Sequence, residues 1–207
     1  MLIANDERTL RRRGNVLLGR ISSALPGVER WRCTLSEYIW TPGSEDQFIW
    51  MSCILALEAV SRGNFGVGAL LVHAGRIVAE GQNSNFSPRF RSDLDAEMVA
   101  LNRFERSTSN RVDAGRMTLY STVECCPMCT ARIITAGIGT VRFVIRDNEW
   151  GQASRLANLP PGWRGLVDSR GPAFSRMVCA PLLEQAASDI YDIGRLALEE
   201  RVGKNSR

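Results

Sequence analysis

The sequence predicts an α/β protein in which helices pack on a mixed sheet to give three layers. Two observations predict this class. Along residues 45–145 the predicted elements are helix, strand hairpin, helix, strand, helix and strand, an order typical of helices covering a sheet. The 207 residues, 44% of them hydrophobic, are enough for one buried core. We expect an N-terminal extension over residues 1–43 and one domain over residues 44–207.

The first predicted elements are helices. Residues 8–24 mix apolar and basic side chains in a pattern that predicts a short amphipathic helix, and a Pro-Gly pair follows it. Ser44 followed by Gln47 is typical of a capping box. We therefore expect a helix over residues 45–61.

Strands and helices then alternate. Residues 67–72 form an apolar run typical of a buried strand, residues 73–76 predict a hairpin turn, and residues 77–83 predict a second strand. After a loop, the predicted elements are a helix over residues 95–106, a strand over 117–122, a helix over 126–136 and a strand over 141–145. The core of the domain is therefore expected to end near residue 150.

The C-terminal segment, residues 151–207, is less regular. It has no periodicity that predicts an element before a helical pattern over residues 181–201. The segment is either a lid over a site or a connection, and its sequence leaves both open.

Charge and apolar runs bear on location and partners. The start of the chain has no apolar signal core, and no later run is long enough to span a membrane, so we expect a cytoplasmic protein. The formal net charge is +4, with seven arginines against three acidic residues in residues 1–32 and a balanced remainder. This favours a solvated N-terminal face over a nucleic-acid arm.

Cys126 and Cys129 are the first indication of chemistry. They lie three residues apart at a predicted helix start, where both thiols can face one point and the backbone N–H groups favour thiolate. Alone, the pair fits zinc, a redox pair or two core cysteines. Cys33, Cys53 and Cys179 are scattered, without the spacing of a disulfide framework.

Asp95 and Glu97 lie at the start of the other predicted helix. Asp95 is either a helix N-cap or a third ligand, since zinc accepts carboxylate oxygen beside thiolates and needs one open position for catalysis. Glu97 is close enough in sequence to move protons without ligating, although first-turn glutamates are common for electrostatic reasons alone. The sequence predicts a Zn²⁺ site at Asp95, Cys126 and Cys129.

Of two basic side chains, one is a candidate for supporting this site. Arg132 lies one turn along the cysteine helix, so we expect it to donate a hydrogen bond to a ligand. His73, the only histidine, falls in the hairpin turn, where it cannot readily replace a ligand.

Residues 45–150 resemble the cytidine and deoxycytidylate deaminase superfamily, whose signature is H-x-E followed by P-C-x-x-C. Residues 119–129 and the first hairpin are most similar to the guanine deaminase and tRNA adenosine deaminase branch. The resemblance implies a cytidine-deaminase-like fold with a mixed five-stranded sheet, in which the fourth and fifth strands are parallel. It also implies a homodimer.

The resemblance assigns residues as well. It implies that Asn83 hydrogen-bonds the base or sugar, that the Ala96 N–H holds the ring, and that Asp147 assists proton transfer; a turn asparagine and a strand-end aspartate are the alternatives. Asp95 departs from the family pattern because it replaces histidine. Cys125 replaces the proline before the first cysteine ligand, which leaves open which two of the three cysteines bind.

Three functions follow as expectations. The first is a zinc-dependent hydrolytic deaminase with Glu97 as the proton carrier, acting on a small nucleobase, nucleoside or nucleotide. The second is a tRNA adenosine deaminase that edits RNA, with Arg89, Phe90 and Arg91 contacting bases and phosphates. The third is a decayed zinc-binding structural subunit, in which Asp95 marks lost activity. The ring and its attached groups are not specified by the sequence.

Overall fold

The computed structural model describes residues 7–22, 24–107, 113–170 and 172–205, with side chains to residue 199. Residues 1–6, which begin the predicted extension, and 206–207, which end the predicted C-terminal segment, lie outside the described residues.

Seven α-helices and five strands are formed by the described residues. The helices are α1 (Glu7–Leu18), α2 (Val28–Glu37), α3 (Asp46–Ser61), α4 (Ala96–Ser107), α5 (Pro127–Ala136), α6 (Pro161–Arg170) and α7 (Pro181–Asn205). The strands are β1 (Gly68–His73), β2 (Arg76–Gln82), β3 (Met117–Val123), β4 (Thr140–Ile145) and β5 (Ala173–Arg176). Short 3₁₀ helices cover Ala114–Arg116 and Ala153–Asn158.

The strands form one mixed sheet in the order β2-β1-β3-β4-β5. β1 is antiparallel to β2 and to β3, whereas β3, β4 and β5 are parallel. The ends of β2, β3 and β4 therefore lie at one edge of the sheet, and the segments that follow them begin there. The predicted five-stranded mixed sheet with parallel fourth and fifth strands is confirmed.

Alternating side chains divide the core between the two faces of the sheet. Leu70 and Val72 pack into the larger apolar cluster with α3, whereas Leu71 packs into a second cluster with α4 and α5. Successive strand residues point to opposite faces, so an uninterrupted apolar run can fill both. This gives the three layers that the element order predicted.

The hairpin turn and strands β1 to β4 agree with the sequence predictions, whereas the pattern predicted no element at β5 and the helix starts do not all agree. Ala74 and Gly75 have φ values of 49° and 72°, the left-handed pair that a tight two-residue hairpin needs. The predicted capping box is wrong, because the Ser44 Oγ has no partner and Gln47 Nε2 instead donates to the Ser44 carbonyl.

The helices α1 and α2 of the predicted extension pack on α3. Leu10, Leu18 and Leu35 are buried in the larger cluster. Trp50 of α3 is fully buried among them, and its Nε1 donates to the Leu35 carbonyl at 2.8 Å. The boundary at residue 43 stays a prediction; we propose that both helices stabilise the domain.

No helix among the described residues is both long and apolar enough to cross a membrane.

Replacing Leu10 by alanine tests the contribution of α1. Leu10 is 1% exposed, so we expect a loss of about 2–5 kcal/mol in the free energy of unfolding, measured by chemical denaturation. Val16, on the same helix but 47% exposed, is the control, and Val16→Ala should cost within about 0.5 kcal/mol. Equal effects of the two substitutions would contradict a packed α1.

Candidate metal centre and adjoining cavity

Asp95 lies immediately before α4, where its carbonyl accepts the Val99 N–H at 2.9 Å. A Cβ on Gly81 of β2 would lie 2.0 Å from the Ala96 carbonyl oxygen. Only glycine at that position lets the first turn of α4 approach the end of β2 so closely. The close packing of α4 on β2 therefore fixes the position of Asp95 relative to the edge of the sheet.

Cys126 and Cys129 are set by the start of α5. Cys126 is the N-cap, Pro127 occupies the first turn, and the Thr130 N–H donates to the Cys126 carbonyl at 2.9 Å. Cys129 follows one turn inside the helix and is fully buried. Proline is favoured at this helical position because its missing N–H has no partner to lose. The start of α5 brings both thiols toward the start of α4.

The three side chains meet at one point. Asp95 Oδ2 is 3.5 Å from Cys126 Sγ and 3.5 Å from Cys129 Sγ, and the three donor atoms all lie within 4.8 Å of one another. Zinc bonds of about 2.0 Å to oxygen and about 2.3 Å to sulfur, at tetrahedral angles, separate oxygen from sulfur by about 3.5 Å. The donor set and its spacing therefore fit Zn²⁺.

Cys125 is not part of this group. Its side chain is fully buried in the apolar cluster under α4 and α5. Burial, and then the charge of nearby Glu97, raise the pKa of the Cys125 thiol well above its ordinary value. Of the three cysteines between which the sequence left the choice open, the described geometry groups Cys126 and Cys129 with Asp95.

The two oxygens of Asp95 have different neighbours. Oδ2 faces the thiols, whereas Oδ1 accepts from Asn83 Nδ2 at 2.7 Å and from the Ala96 N–H at 3.1 Å.

Arg132, the predicted donor to a ligand, has other partners. Its guanidinium pairs with Glu105 at 2.5 Å and also contacts Asn102. The prediction that Arg132 supports a ligand is therefore wrong.

Glu97 lies one residue inside α4 and is 2% exposed. Its Oε1 accepts from Ser121 Oγ on β3 at 2.9 Å. Burial, and then the negative charge of Asp95, raise the pKa of Glu97 above its ordinary value. A carboxyl group in such surroundings can hold or release a proton near neutral pH, as a general acid or base requires.

A cavity of about 690 Å³ opens beside these residues. Asn83, Asp95, Glu97, Cys126 and Asp147 line it, so five of the seven predicted site residues share one space. Cys129, the third member of the donor group, is buried and does not line the cavity. Ala96 is fully buried and its N–H already serves Asp95; its role toward substrate stays a prediction.

The remaining walls come from parts of the chain that the sequence did not assign to the site. They are Phe65, Val67, Asn85, Phe86, Val123, Glu124, Glu149, Trp150, Tyr191, Arg195, Leu198 and Glu199. Four of these residues belong to α7, at the spacing of one helix face. The sequence shows this helical spacing, but no pattern in the sequence indicates which part of the protein that face of α7 packs against.

Buried Glu124 ties the loop after β4 to the site. Its Oε1 accepts the Ser154 N–H at 2.6 Å, and its Oε2 accepts the Asp147 N–H at 3.2 Å. Asp147 in turn accepts a hydrogen bond from the Tyr191 hydroxyl of α7 at 3.4 Å. Residues 151–207, the predicted C-terminal segment, therefore contact Glu124 and Asp147 of the cavity through Ser154 and Tyr191; the role of the segment as a lid stays a prediction.

Residues 43–145 match the family described as the cytidine and deoxycytidylate deaminase zinc-binding region. The chain belongs to the cytidine and deoxycytidylate deaminase superfamily. The family is defined by a zinc-binding region, and the matched segment contains Asp95, Cys126 and Cys129.

Two curated relatives are tRNA deaminases. The chain is 31% identical over 105 residues to the tRNA-specific adenosine deaminase of Bacillus subtilis (strain 168), covering 50% of this chain and 63% of that protein. It is 31% identical over 122 residues to the chloroplastic tRNA(adenine(34)) deaminase of Arabidopsis thaliana, covering 58% of this chain and 8% of that protein. The match thus spans less than two thirds of either relative.

Solved structures share the fold. One, from a study of A-to-I editing by tRNA:A34 deaminases, has a TM-score of 0.58 at 23% identity and covers 70% of this chain and 99% of that one. A guanine deaminase from Nitrosomonas europaea has a TM-score of 0.56 at 16% identity, covering 79% of this chain and 91% of that one. At these identities the likeness concerns the cytidine-deaminase-like fold alone.

Cysteine substitutions test the donor set. Cys126→Ala and Cys129→Ala should each reduce bound zinc well below one equivalent, because two donors hold the ion far more weakly than three. Cys125→Ala is the matched control and should retain zinc, since the grouped donor atoms belong to Asp95, Cys126 and Cys129. Metal content after dialysis, with folding checked by circular dichroism, measures both. Loss of zinc from the Cys125 variant alone would contradict the grouping.

Proposed function

We propose that this chain is a zinc-dependent hydrolytic deaminase that releases an exocyclic amine as ammonia from a small nucleobase or nucleoside. One observation carries the proposal: three donors at zinc spacing and a buried carboxyl group line one cavity. The family match supports the reaction class.

Asp95, Cys126 and Cys129 would hold the ion, and Zn²⁺ when bound would supply Lewis-acid activation of water. Glu97 takes a proton from the attacking water and delivers it to the leaving amine. A C–O bond forms at the ring carbon, the C–N bond breaks, and ammonia leaves. Ser121 holds the Glu97 carboxyl group in place for both transfers.

The cavity favours a planar ring. Phe65, Val67, Phe86 and Trp150 supply apolar and aromatic walls, and its volume of about 690 Å³ is in the range of small-molecule sites. We propose that Asn83 and Asp147 contact the substrate from this lining. The Ala96 N–H would contact it only after release from Asp95.

Charge favours a substrate without phosphate. Six carboxyl side chains line the cavity against one guanidinium, Arg195. That guanidinium already pairs with Glu199 at 2.8 Å and lies 3.4 Å from Asp192. A phosphate group would therefore enter a space with excess negative charge and no free basic partner among the lining residues. A neutral base or nucleoside meets no such repulsion.

A tRNA is the second candidate substrate. The curated relatives are tRNA deaminases by name, and an aromatic row leads outward from the cavity through Phe65, Phe86 and Phe90, with ring centroids 5.5 Å and 5.8 Å apart. Exposed Phe90 can stack on a base. Arg91, however, is paired with Asp93 at 2.6 Å, which weakens the case for phosphate contacts in this loop.

A decayed structural subunit is the third candidate, because Asp95 replaces the usual histidine. The retained Glu97, buried and held by Ser121, supports an active site instead. By resemblance we also propose a homodimer, which sedimentation of the purified protein would test. The cytoplasmic location stays a prediction.

Ammonia release tests the function directly. Zinc-loaded protein should turn over one of a panel of purine and pyrimidine bases, nucleosides and nucleotides, pterins and a tRNA pool. Glu97→Gln should lower kcat by at least about 100-fold, since the proton carrier is lost, while zinc content stays unchanged. Turnover of tRNA alone, declining steeply with salt, would favour the second candidate. An inactive wild type whose Asp95→His variant gains turnover would favour the third.

Phosphate discrimination tests the charge argument. For the preferred ring, we expect kcat/KM for the base or nucleoside to exceed that for its 5′-monophosphate by at least about tenfold, a difference of about 1.4 kcal/mol. Glu199→Gln leaves Arg195 with one carboxylate partner fewer. This variant should therefore lower the ratio of kcat/KM for the base or nucleoside to kcat/KM for the monophosphate. Faster turnover of the monophosphate by wild-type protein would contradict this reading of the cavity.

A further inference from the structure

The Asn83 side chain donates a hydrogen bond to one of the two carboxylate oxygens of Asp95 and not to the other. We propose that Asn83 is a positioning residue for the metal centre: its amide holds Asp95 Oδ1 so that Oδ2 alone is presented to the ion. The proposal rests on the proposed function, because it takes Asp95 as a ligand.

The orientation of the Asn83 amide is determined by its two partners. Its Oδ1 accepts the Asn85 backbone N–H at 3.2 Å, and its Nδ2 donates to Asp95 Oδ1 at 2.7 Å. A flipped amide would place oxygen against a carboxylate oxygen and NH₂ against a backbone N–H. Both hydrogen bonds would then be lost, so the donor must face Asp95.

Asn83 itself has little freedom to move. It directly follows β2, is 1% exposed, and its backbone N–H donates to the Val67 carbonyl at 2.9 Å. The amide is thus attached to the sheet on one side and to the carboxylate on the other. A rigid support of this kind fixes the geometry of a ligand better than a mobile surface residue does.

The effect on Asp95 follows from the chemistry of a carboxylate. Rotation about its last torsion has a broad, roughly two-fold profile, so an unsupported aspartate can exchange its oxygens or present both to an ion. Here Oδ1 accepts two hydrogen bonds, from Asn83 and Ala96, while Oδ2 lies 3.5 Å from each thiol sulfur. Asp95 is thereby restricted to one donor atom in one direction, as a histidine nitrogen would be.

Zinc affinity is the first test, using competition with a chromogenic chelator. Asn83→Ala should weaken zinc binding by about 10–100-fold, the usual effect of removing a hydrogen-bond partner of a ligand. Asn85→Ala is the control, because its side chain lines the same cavity but its Oδ1 has no partner; that variant should bind zinc like wild type. Equal zinc affinity of the Asn83 variant and wild type would overturn the proposal.

A spectroscopic measurement separates positioning from general stability. With Co²⁺ in place of zinc, Asn83→Ala should shift the visible ligand-field bands, since the carboxylate changes its mode of binding, whereas Asn85→Ala should not. In an Asp95→His background the effect of Asn83→Ala on zinc affinity should largely disappear. A merely structural Asn83 would give the same loss in both backgrounds, and that result would overturn the proposal.

The wild-type protein provides a test that needs no variant. A crystal structure of the zinc-loaded chain should show Asp95 bound through one oxygen, with the Asn83 amide on the other. Binding through both oxygens would refute the positioning role while leaving the proposed function intact. Failure of wild-type protein to bind zinc at all would instead remove the proposed function and this inference with it.

Discussion

The convergence of one carboxylate and two thiols at the starts of α4 and α5 is the constraint on which the site depends. One carboxyl group and two thiols are held within 4.8 Å of one another, an arrangement that as three anions would be costly without a cation. Hydrogen bonding with Cys126, and then burial, raise the pKa of Cys129 well above its ordinary value. A bound cation would offset that cost, so metal binding would stabilise both helix starts.

The sheet makes this convergence possible. β2, β3 and β4 all end at one edge, because β1 lies antiparallel between β2 and β3 while β4 runs parallel to β3. Asp95, Cys126 and Asp147 follow those three strand ends and thus reach one space despite their separation in sequence. The buried Glu124 then fixes the loop after β4 through two backbone N–H groups. The candidate ligands and Glu97 lie at the starts of α4 and α5. Rigid elements of this kind can hold a site to the geometry that catalysis requires.

The parts predictable from sequence were those with strong local chemistry. The order of strands and helices predicted the fold, and the cysteine pair together with Asp95 and the family resemblance predicted the donor set. Strand β5 was not predicted individually because four residues carry no usable alternation. Helix α2 was not predicted because its N-cap, Gly27, has no side chain to cap the helix. The contact of Asn83 with Asp95, and the pairing of Arg132 with Glu105, depend on how separate elements pack. No local pattern encodes such contacts. The contact of Asn83 with Asp95 therefore had no signal in the sequence, and Arg132 was predicted to have the wrong partner.

Aspartate as the proposed third ligand would change the charge of the cavity. With two thiolates and Zn²⁺ it would leave a formal charge of −1, where a neutral histidine would leave 0. The cavity is also lined by the carboxyl groups of Glu97, Glu124, Asp147, Glu149 and Glu199. The Asn83 N–H offsets part of that charge at Oδ1, because a hydrogen bond to a carboxylate stabilises its ionised form. Asn83 would thus support an aspartate ligand electrostatically as well as by position. Under the proposed ligation, a centre of this charge would repel phosphate and not an uncharged ring, so the ligand replacement and the proposed substrate would have a common electrostatic cause.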